Sequence, residues 1–512
     1  MLDVTPFFRH AAARRRAQLA KEDAAAVQER TLLSLITRAA DTRFGHDHDF
    51  KAISSVADFQ ARVPLRNYDA MWSDYWKTAF PRLDGVSWPG PIRYLALSSG
   101  TTTGKTKYIP VTREMHRSNQ RAGFNLLAHH LAAKPDSRMF AGKTFMLGGS
   151  TALTEEAPRI FSGDLSGIAA KTLSVFTRHY VFPPAKLALL SDWQEKVEIL
   201  AQKSIEEDIR ALTGTPSWVL ILLERVRALR NARGQKGEPI YPKLELFVHG
   251  GVNFAPYRTR FQKLFEGIAV DMREAYAASE GFIASADRAF GEGMRMNLDS
   301  SLFYEFIPLD QIGSPAPTRH WIKTAETGVN YALALSTCAG AFAYLVGDTV
   351  RLVDKSPPRL LVTGRISYGL SAFGEHLIAE EIETAVAEAA ASINADVSDY
   401  SVGALFPTAE QPRGGHLYVL EFAGGVPGQA ALERFKDTLD TSLRRLNDDY
   451  VAHRAGEFGM LPPQLHPVAA GTFAQWMKSR GKLGGQHKVP RVINDRVLWD
   501  DLLDFVSKNE HR

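Results

Sequence analysis

A segment rich in hydroxyl and ammonium groups is the first feature of this sequence that could do chemistry. It runs from Ser98 to Lys107 and reads Ser-Ser-Gly-Thr-Thr-Thr-Gly-Lys-Thr-Lys. The apolar run Ile92–Leu97 precedes it and predicts a strand. Glycines allow a tight turn and a close approach of backbone N–H groups to an anion, while the hydroxyl and ammonium groups add further donors. We therefore predict a loop that holds a polyphosphate.

The loop differs from the P-loop of nucleoside triphosphatases. Three residues separate Gly100 from Gly104, whereas the P-loop has four residues between its glycines, before a Lys-Ser/Thr pair. The spacing therefore favours a phosphate loop of another kind.

Four further segments carry polar residues beside apolar runs. Each has an ordinary structural explanation: a Ser-Glu pair caps a helix, a Gly-Asp or Gly-Arg step forms a turn or loop, and a basic tail is solvated. Their order along the chain favours a function instead. The segments are Tyr276–Gly281, Tyr344–Asp348, Thr363-Gly364-Arg365 with Glu380-Glu381-Ile382-Glu383, and Arg480–Arg491 with Lys482 and Lys488.

This order resembles the adenylate-forming superfamily of acyl-CoA synthetases, peptide-synthetase adenylation domains and luciferases. The phosphate loop of that superfamily is similar to Ser98–Lys107, with one inserted Thr and with Thr106 in place of Pro. Its Tyr-Gly-x-Thr-Glu resembles Tyr276–Glu280, and its Gly-Asp resembles Gly347-Asp348. Its Gly-Arg hinge and Glu-Ile-Glu resemble Gly364-Arg365 and 381–383, although Ile366 and Ser367 replace the usual acidic residue after Gly-Arg.

Within that superfamily the chain more closely resembles the auxin-responsive (Gretchen Hagen type) acyl acid amido synthetases. The resemblance spans roughly Ala61 to Arg491. It rests on the segments Val63–Tyr68, Ser98–Pro110, Tyr276–Glu280, Tyr344–Val350 and Gln486–Arg491.

The resemblance implies an enzyme that activates a carboxylic acid with ATP and Mg²⁺ to an acyl adenylate, and then transfers the acyl group to an amine such as an amino acid. The β- and γ-phosphates would be held by Ser98, Ser99, Thr101, Thr102, Thr103 and Lys105. Ser279 would contact the α-phosphate region, and Glu280 would hold Mg²⁺.

The same resemblance assigns the rest of the nucleotide site. Tyr276 would belong to it, Asp348 would bind the ribose hydroxyls, and Arg365 would support the ribose or a phosphate. Val252 and Asn253 would flank adenine. Lys488 would be the mobile catalytic lysine, with Lys482 as the second choice.

The elements that must position these residues predict an α/β protein of two parts. Residues 1–365 predict a large N-terminal body of several subdomains with mixed sheets and helices, mainly helical over 1–90. Residues 366–512 predict a small, mobile α+β domain. Helices are expected over Asp192–Leu212, Trp218–Ala232, Pro256–Phe265, Ala379–Ala391 and Gln429–Asn447.

Composition excludes several other classes. Of 512 residues, 45% are hydrophobic and 23% charged, as in a globular protein, and the net charge of +4 does not favour nucleic acid binding. Cys338, the single cysteine, is expected to be a buried, inert thiol. No apolar run suggests a membrane span or a signal peptide, so we expect a cytoplasmic protein acting on small molecules.

Three segments could line the acyl pocket, although core packing explains them equally well: Phe176–Phe182, Trp218–Arg225 and Thr337–Phe342. Arg178 and His179 could orient a carboxylate or lie at the surface. Two other functions remain open from the sequence. One is acyl-CoA ligation through the same adenylation step, and the other is a non-catalytic, nucleotide-binding regulator.

Overall fold

We analysed a computed structural model of the chain. The structure describes residues 2–98, 107–148, 153–173, 175–188, 190, 193–251, 254, 257–312, 314–365, 369–370, 372–373, 375, 377–408, 411–455, 459–480 and 489–509.

The helices of the larger part begin with an N-terminal group that covers the core. They are α1 Thr5–Leu19, α2 Ala24–Ala39, α3 Arg43–Asp47, α4 Val56–Arg62, α5 Tyr68–Met71, α6 Arg113–Ala133, α7 Leu165–Thr172, α8 Val175–Arg178, α9 Ala185–Ala188, α10 Trp193–Ser204, α11 Pro216–Ala232 and α12 Arg258–Leu264. A π-helical turn follows α5 at Trp72–Trp76.

The strands of the larger part are β1 Tyr94–Ser98, β2 Lys107–Val111, β3 Lys143–Met146, β4 Thr154–Ala157, β5 Ile160–Gly163, β6 Val181–Phe182, β7 Ile209–Gly214, β8 Leu246–Gly250, β9 Asp271–Ala278, β10 Gly281–Ser285, β11 Met294–Met296, β12 Leu302–Pro308, β13 His320–Trp321, β14 Asn330–Thr337, β15 Tyr344–Lys355 and β16 Pro358–Arg365.

The remaining elements are β17 Gly369–Leu370, β18 Leu377–Ile378, α13 Ala379–Ser392, β19 Val397–Leu405, β20 Gly415–Phe422, α14 Gln429–Leu446, α15 Asp448–Arg454, β21 Gln464–Val468, α16 Thr472–Ser479, β22 Val492–Ile493 and α17 Arg496–Asn509. None of the helices within the described ranges has both the length and the hydropathy that crossing a membrane requires.

The chain forms two compact units. The larger contains the described residues of Met1–Ser98, Lys107–Phe254 and Arg258–Ile366, and the smaller contains those of Ser367–Arg512 together with Tyr257. The larger unit mixes helices with parallel and antiparallel strands, and the smaller combines a four-stranded sheet with helices. The predicted fold class, a large α/β body with a smaller α+β domain, is confirmed.

One twelve-stranded sheet organises the larger unit, in the order β13-β12-β14-β15-β16-β11-β10-β9-β8-β7-β3-β6. From β9 to β6 the neighbouring strands are parallel, and from β13 to β9 they are antiparallel. Parallel strands place their carboxyl ends along one edge, where α/β proteins commonly bind ligands.

The N-terminal helices pack their apolar faces onto this sheet. Trp76 and Phe59 are fully buried in the same apolar cluster as Leu302 and Phe342. The predicted helical start of the chain is thus confirmed. Cys338 lies in this cluster too, and burial raises the pKa of its thiol to about 12.

The prediction of one helix over Asp192–Leu212 was wrong at its end. Helix α10 ends at Ser204, and Ile209–Gly214 forms β7 between β3 and β8. Apolar residues at 205, 209 and 212 fit a helical period, but Ile209 and Leu212 are buried in a strand with partners on both sides. Pairing with the neighbouring strands determined the secondary structure of this segment, because a short apolar run is compatible with either a helix or a strand.

Candidate active site

Tyr276 and Asp348 meet in a buried hydrogen bond of the larger unit. The Tyr276 hydroxyl donates to Oδ2 of Asp348 at 2.6 Å. Tyr276 belongs to β9 and Asp348 to β15, which are four places apart in the sheet order. A flat sheet would separate them by about 19 Å at the usual strand spacing, so the sheet curls and brings the two residues together. Both residues come from motifs that the sequence singled out.

Ser279 and Glu280 form the turn between β9 and β10. Ala278 and Gly281 are opposed across this antiparallel pair, so the turn contains just these two residues. The helix-cap explanation of the Ser-Glu pair is therefore wrong. Gly281 has φ +154°, and a Cβ there would lie 2.9 Å from the Leu302 side chain. Glycine thus allows the tight hairpin that presents Glu280 beside the end of β9.

Glu280 is a buried carboxyl group with 7% exposure. Burial raises its pKa, and the nearby charge of Asp348 raises it further. The ammonium group of Lys107 and the hydroxyl of Tyr344 act in the opposite direction and lower this pKa. The ionised form of Glu280 therefore gains from any positive charge placed next to it.

The base of the predicted phosphate loop is an antiparallel strand pair. Ser98 at the end of β1 is opposed to Lys107 at the start of β2. The ammonium group of Lys107 lies 5.5 Å from the centre of the Tyr68 ring, and the backbone N–H of Tyr108 donates to the Tyr68 hydroxyl at 3.0 Å. The motif that ends in Tyr68 thus contacts the first two residues of β2.

The same motif also anchors the Gly-Asp segment. The backbone N–H of Arg66 donates to the Ala343 carbonyl at 3.0 Å, and the N–H of Leu345 donates to the Arg66 carbonyl at 2.8 Å. These bonds fix the start of β15. The turn explanation of the Gly-Asp pair is wrong, because Asp348 lies inside β15 and is opposed to Arg365 of β16.

Two aromatic rings stack on each other at the carboxyl end of β8. The rings of His249 and Phe254 are 3.6 Å apart at an angle of 19°. Gly250 is needed at this point, because a Cβ would lie 2.1 Å from the carbonyl oxygen of Ala275 on β9. The stack brackets Val252 and Asn253 in sequence.

Several predicted site residues lie outside the described part of the chain. They are Ser99, Thr101, Thr102, Thr103, Lys105, Val252, Asn253, Lys482 and Lys488. Arg365 is described through its backbone. Among the described residues, the structure brings together Tyr276, Asp348, Ser279 and Glu280, and places Ser98 opposite Lys107.

Sequence reasoning did not assign site roles to Lys107, Tyr68 and Tyr344. Lys107 and Tyr344 act on the Glu280 carboxyl group, and Tyr68 supports the strand that carries Lys107. All three residues lie in motifs that the sequence analysis quoted, so the sequence contained a signal for them. The sequence did not show that these motifs lie next to one another in the fold.

The donor set suits a hard cation. Carboxylate and hydroxyl oxygens such as those of Glu280 and Ser279 are the ligands that Mg²⁺ prefers, and its other positions are commonly filled by water and substrate phosphates. No group of three or more His, Cys, Asp or Glu side chains forms a metal cage among the described residues. The site therefore fits a cation that arrives with its phosphate ligand.

The three candidate acyl segments differ in their surroundings. Buried side chains of Trp218–Arg225 and Thr337–Phe342 contribute to the core. The segment Phe176–Phe182 borders a cavity of about 1000 Å³. Its other described lining residues are mostly apolar, including Met146, Leu147, Ala170, Leu173, Pro183 and Pro184.

Comparison with models of protein families identifies the family of this chain. The GH3 family N-terminal domain matches residues 13–270, the GH3 family central domain matches 296–365 and the GH3 family C-terminal domain matches 380–497. The chain belongs to the GH3 family. The described site residues Tyr276, Ser279 and Glu280 fall between the first two matches, and Asp348 falls within the central domain.

Curated GH3 relatives are distant in sequence. The chain matches 33% and 41% of the length of two rice proteins, a probable indole-3-acetic acid-amido synthetase GH3.4 and an indole-3-acetic acid-amido synthetase GH3.8, each at 28% identity. A third relative is indole-3-acetic acid-amido synthetase GH3.4 of Arabidopsis thaliana. It is 22% identical over 91% of this chain and 89% of its own length.

Solved structures share the fold. The acyl acid amido synthetase AtGH3.15 in complex with 2,4-DB superposes with a TM-score of 0.61 at 15% identity, covering 97% of this chain and 96% of that one. A 2-hydroxyisobutyryl-CoA ligase superposes with a TM-score of 0.56 at 17% identity, covering 94% and 92%. At these identities, the superpositions establish the architecture and leave the acceptor open.

Proposed function

We propose that this GH3 protein is an ATP-dependent acyl acid amido synthetase. It joins a carboxylic acid to ATP, giving an acyl adenylate and pyrophosphate, and then transfers the acyl group to an amine with release of AMP. The observation that carries the proposal is the buried cluster in which Glu280 lies beside the Tyr276–Asp348 pair. The names of the relatives support the amide-forming outcome.

The first half-reaction brings two anions together, the substrate carboxylate and the α-phosphate. Positive charge and N–H donors must offset their repulsion. Lys107 supplies charge next to Glu280, and Ser98 with the loop residues Ser99, Thr101, Thr102, Thr103 and Lys105 supplies donors for the β- and γ-phosphates. Ser279 contacts the α-phosphate from the turn after β9.

Glu280 and Ser279 would hold Mg²⁺, which stabilises negative charge on the phosphates when it is bound. Asp348 accepts hydrogen bonds from the ribose hydroxyls, and the Tyr276 hydroxyl fixes the carboxylate for this task. The backbone register that opposes Arg365 to Asp348 supports the assignment of Arg365 to the ribose or a phosphate. Val252 and Asn253 flank adenine, since they follow the carboxyl end of β8.

For the second half-reaction, we assign a mobile catalytic role to the smaller part of the chain, residues 366–512. We assign the mobile lysine to Lys488 in preference to Lys482. The motif that contains it ends on β19, where the Ser401 hydroxyl donates to the Pro490 carbonyl at 2.8 Å. Arg491 pairs with Asp399 at 2.9 Å. Rotation between the half-reactions would exclude water from the adenylate.

The cavity beside Phe176–Phe182 is our candidate for the acyl group. It borders the parallel part of the sheet, and its apolar lining suits an aryl or aliphatic acid. Within the cell we place the reaction in the cytoplasm, where ATP and Mg²⁺ are available.

The experiment that tests the function is a panel of carboxylic acids scored by acid-dependent ATP–pyrophosphate exchange. Acids that support exchange are then incubated with amino acids or with coenzyme A, and AMP formation is measured. Amine-dependent AMP release supports the amido synthetase. Release that requires coenzyme A would identify an acyl-CoA ligase, and absence of exchange across a broad panel would favour a nucleotide-binding regulator.

A further inference from the structure

Glu274 is a carboxyl group on the site face of β9 that the steps above do not use. It precedes Tyr276 by two residues, and alternate residues of a strand share a face. Ala275, between them, packs on the opposite face against an apolar cluster that Phe124 of α6 also borders. Glu274 therefore lies on the same side of the sheet as Tyr276, two residues further from the carboxyl end of β9.

The neighbouring strand places an imidazole beside Glu274. His249 of β8 is opposed to Glu274 in the parallel register, so both side chains leave the same face. The His249 ring stacks on Phe254, and Phe247 packs nearby at 5.3 Å between ring centres. Among the described residues, Nδ1 of His249 is buried and has no hydrogen-bond partner.

In this surrounding His249 is buried and Glu274 is half-buried. Burial alone raises the pKa of Glu274 to about 7. Burial also lowers the pKa of His249 to about 3, so its imidazole is neutral. A carboxyl group with a pKa near the working pH accepts and releases a proton readily, which is the property of an efficient general base.

The transfer step requires such a group. An aliphatic amine is protonated near neutral pH and has no free lone pair until it loses a proton. Of the carboxyl groups that the site description names, Asp348 is engaged by Tyr276, and Glu280 lies near Lys107 and the proposed cation. Glu274 is left for the amine.

We propose that Glu274 is the general base of the transfer step. Its carboxylate binds the incoming amine in its ammonium form and takes one proton from it, which frees the lone pair of the nitrogen. The nitrogen then attacks the acyl carbon and the new C–N bond forms. The bond between the acyl carbon and the phosphate oxygen breaks, AMP leaves with that electron pair, and the second proton passes from the nitrogen to the departing phosphate or to solvent. This inference rests on the proposed amide-forming function.

The test uses the full-length protein with Glu274→Gln, which keeps the shape of the side chain and removes the base. Acid-dependent pyrophosphate exchange should stay within about threefold of the wild type, while amide formation with an amino acid should fall about 100-fold, the usual scale for losing a general base. Hydroxylamine is already unprotonated at neutral pH. Hydroxamate formation should therefore survive in the variant.

Two controls keep the outcome interpretable. Glu266→Gln makes the same change at an exposed position after α12 and should leave both reactions intact. Glu274→Asp keeps a carboxylate and should restore part of the amide formation.

Unchanged amide formation in Glu274→Gln would overturn the inference. A parallel loss of exchange and of hydroxamate formation would overturn it too, because it would indicate a structural or adenylation role. If the wild type itself shows no exchange with any acid, the proposed function fails first, and the base assignment fails with it.

Discussion

The hydroxyl of Tyr276 donates to Oδ2 of Asp348 at 2.6 Å, across a separation of 72 residues in the sequence. The bond joins two strands that are not neighbours in the sheet. It therefore couples the curvature of the sheet to the position of the carboxylate that we assign to the ribose.

Tyr276→Phe should weaken ATP binding with little effect on the chemical step. The variant leaves a buried carboxylate without one of its donors, and a hydrogen bond to a charged group contributes about 2 kcal/mol. We expect the KM for ATP in the exchange assay to rise about 30-fold, which corresponds to such a loss.

Tyr304→Phe is the matched control. The Tyr304 hydroxyl donates to the carbonyls of Asn297 and Ile283, at 3.0 and 3.2 Å. Its loss should lower stability and leave the KM for ATP unchanged. An equal KM for ATP in the Tyr276 variant and the wild type would contradict the ribose assignment.

Glu280→Gln should change the response to magnesium. The substitution removes the charge that attracts the cation and leaves a buried amide in its place. Exchange should fall about 100-fold, a typical loss for one electrostatic group at the reacting phosphate, and the Mg²⁺ concentration for half-maximal rate should rise. Wild-type exchange should vanish with EDTA and return with added Mg²⁺. An unaltered magnesium titration in the variant would remove Glu280 from the metal site.

Lys488→Ala should depress acid-dependent exchange strongly while adenosine nucleotide binding survives. Loss of one preorganised charge at the transition state costs about 100-fold or more. Lys482→Ala is the comparison, and exchange should be close to that of the wild type. If Lys482→Ala lost exchange and Lys488→Ala kept it, the two assignments would be reversed.

Lys196→Met should destabilise the larger unit. The Lys196 side chain is buried, and its ammonium group donates to the carbonyls of Ala188 at 2.7 Å and Gly148 at 3.3 Å. Methionine fills the space but leaves both acceptors without this donor, at a cost of about 1–3 kcal/mol. Urea unfolding measures the change. Lys203→Met, at an exposed position of the same helix, should have little effect, and equal midpoints for both variants would contradict the role of Lys196.

Cys338 should resist alkylation in the folded protein. Only the thiolate reacts, and burial holds the thiol pKa near 12. Incubation with iodoacetamide at pH 8, followed by mass spectrometry, should show negligible labelling under native conditions and complete labelling in urea. Rapid labelling of the native protein would show that the surrounding cluster opens readily.

Much of the architecture could be predicted from local patterns. Continuous helical periodicity marked α11, α13 and α14 close to their observed bounds, and the apolar run Ile92–Leu97 marked β1. These elements agree because local preference and tertiary burial favour the same structure. The structure of segment 205–212 differed from the prediction. Its apolar periodicity suits a helix, but Ile209–Gly214 forms a strand that pairs with β3 on one side and β8 on the other.

By itself the sequence determined the family resemblance, the fold class and the order of the polar segments, since these depend on residue type and spacing along one dimension. Only the tertiary structure decided which segments meet. The curled sheet joined Tyr276 to Asp348, a two-residue turn rather than a helix cap carried Ser279-Glu280, and Lys107 came to act on Glu280. Glu274 gained its altered pKa in the same way, because desolvation depends on everything packed around a group and not on its neighbours in sequence.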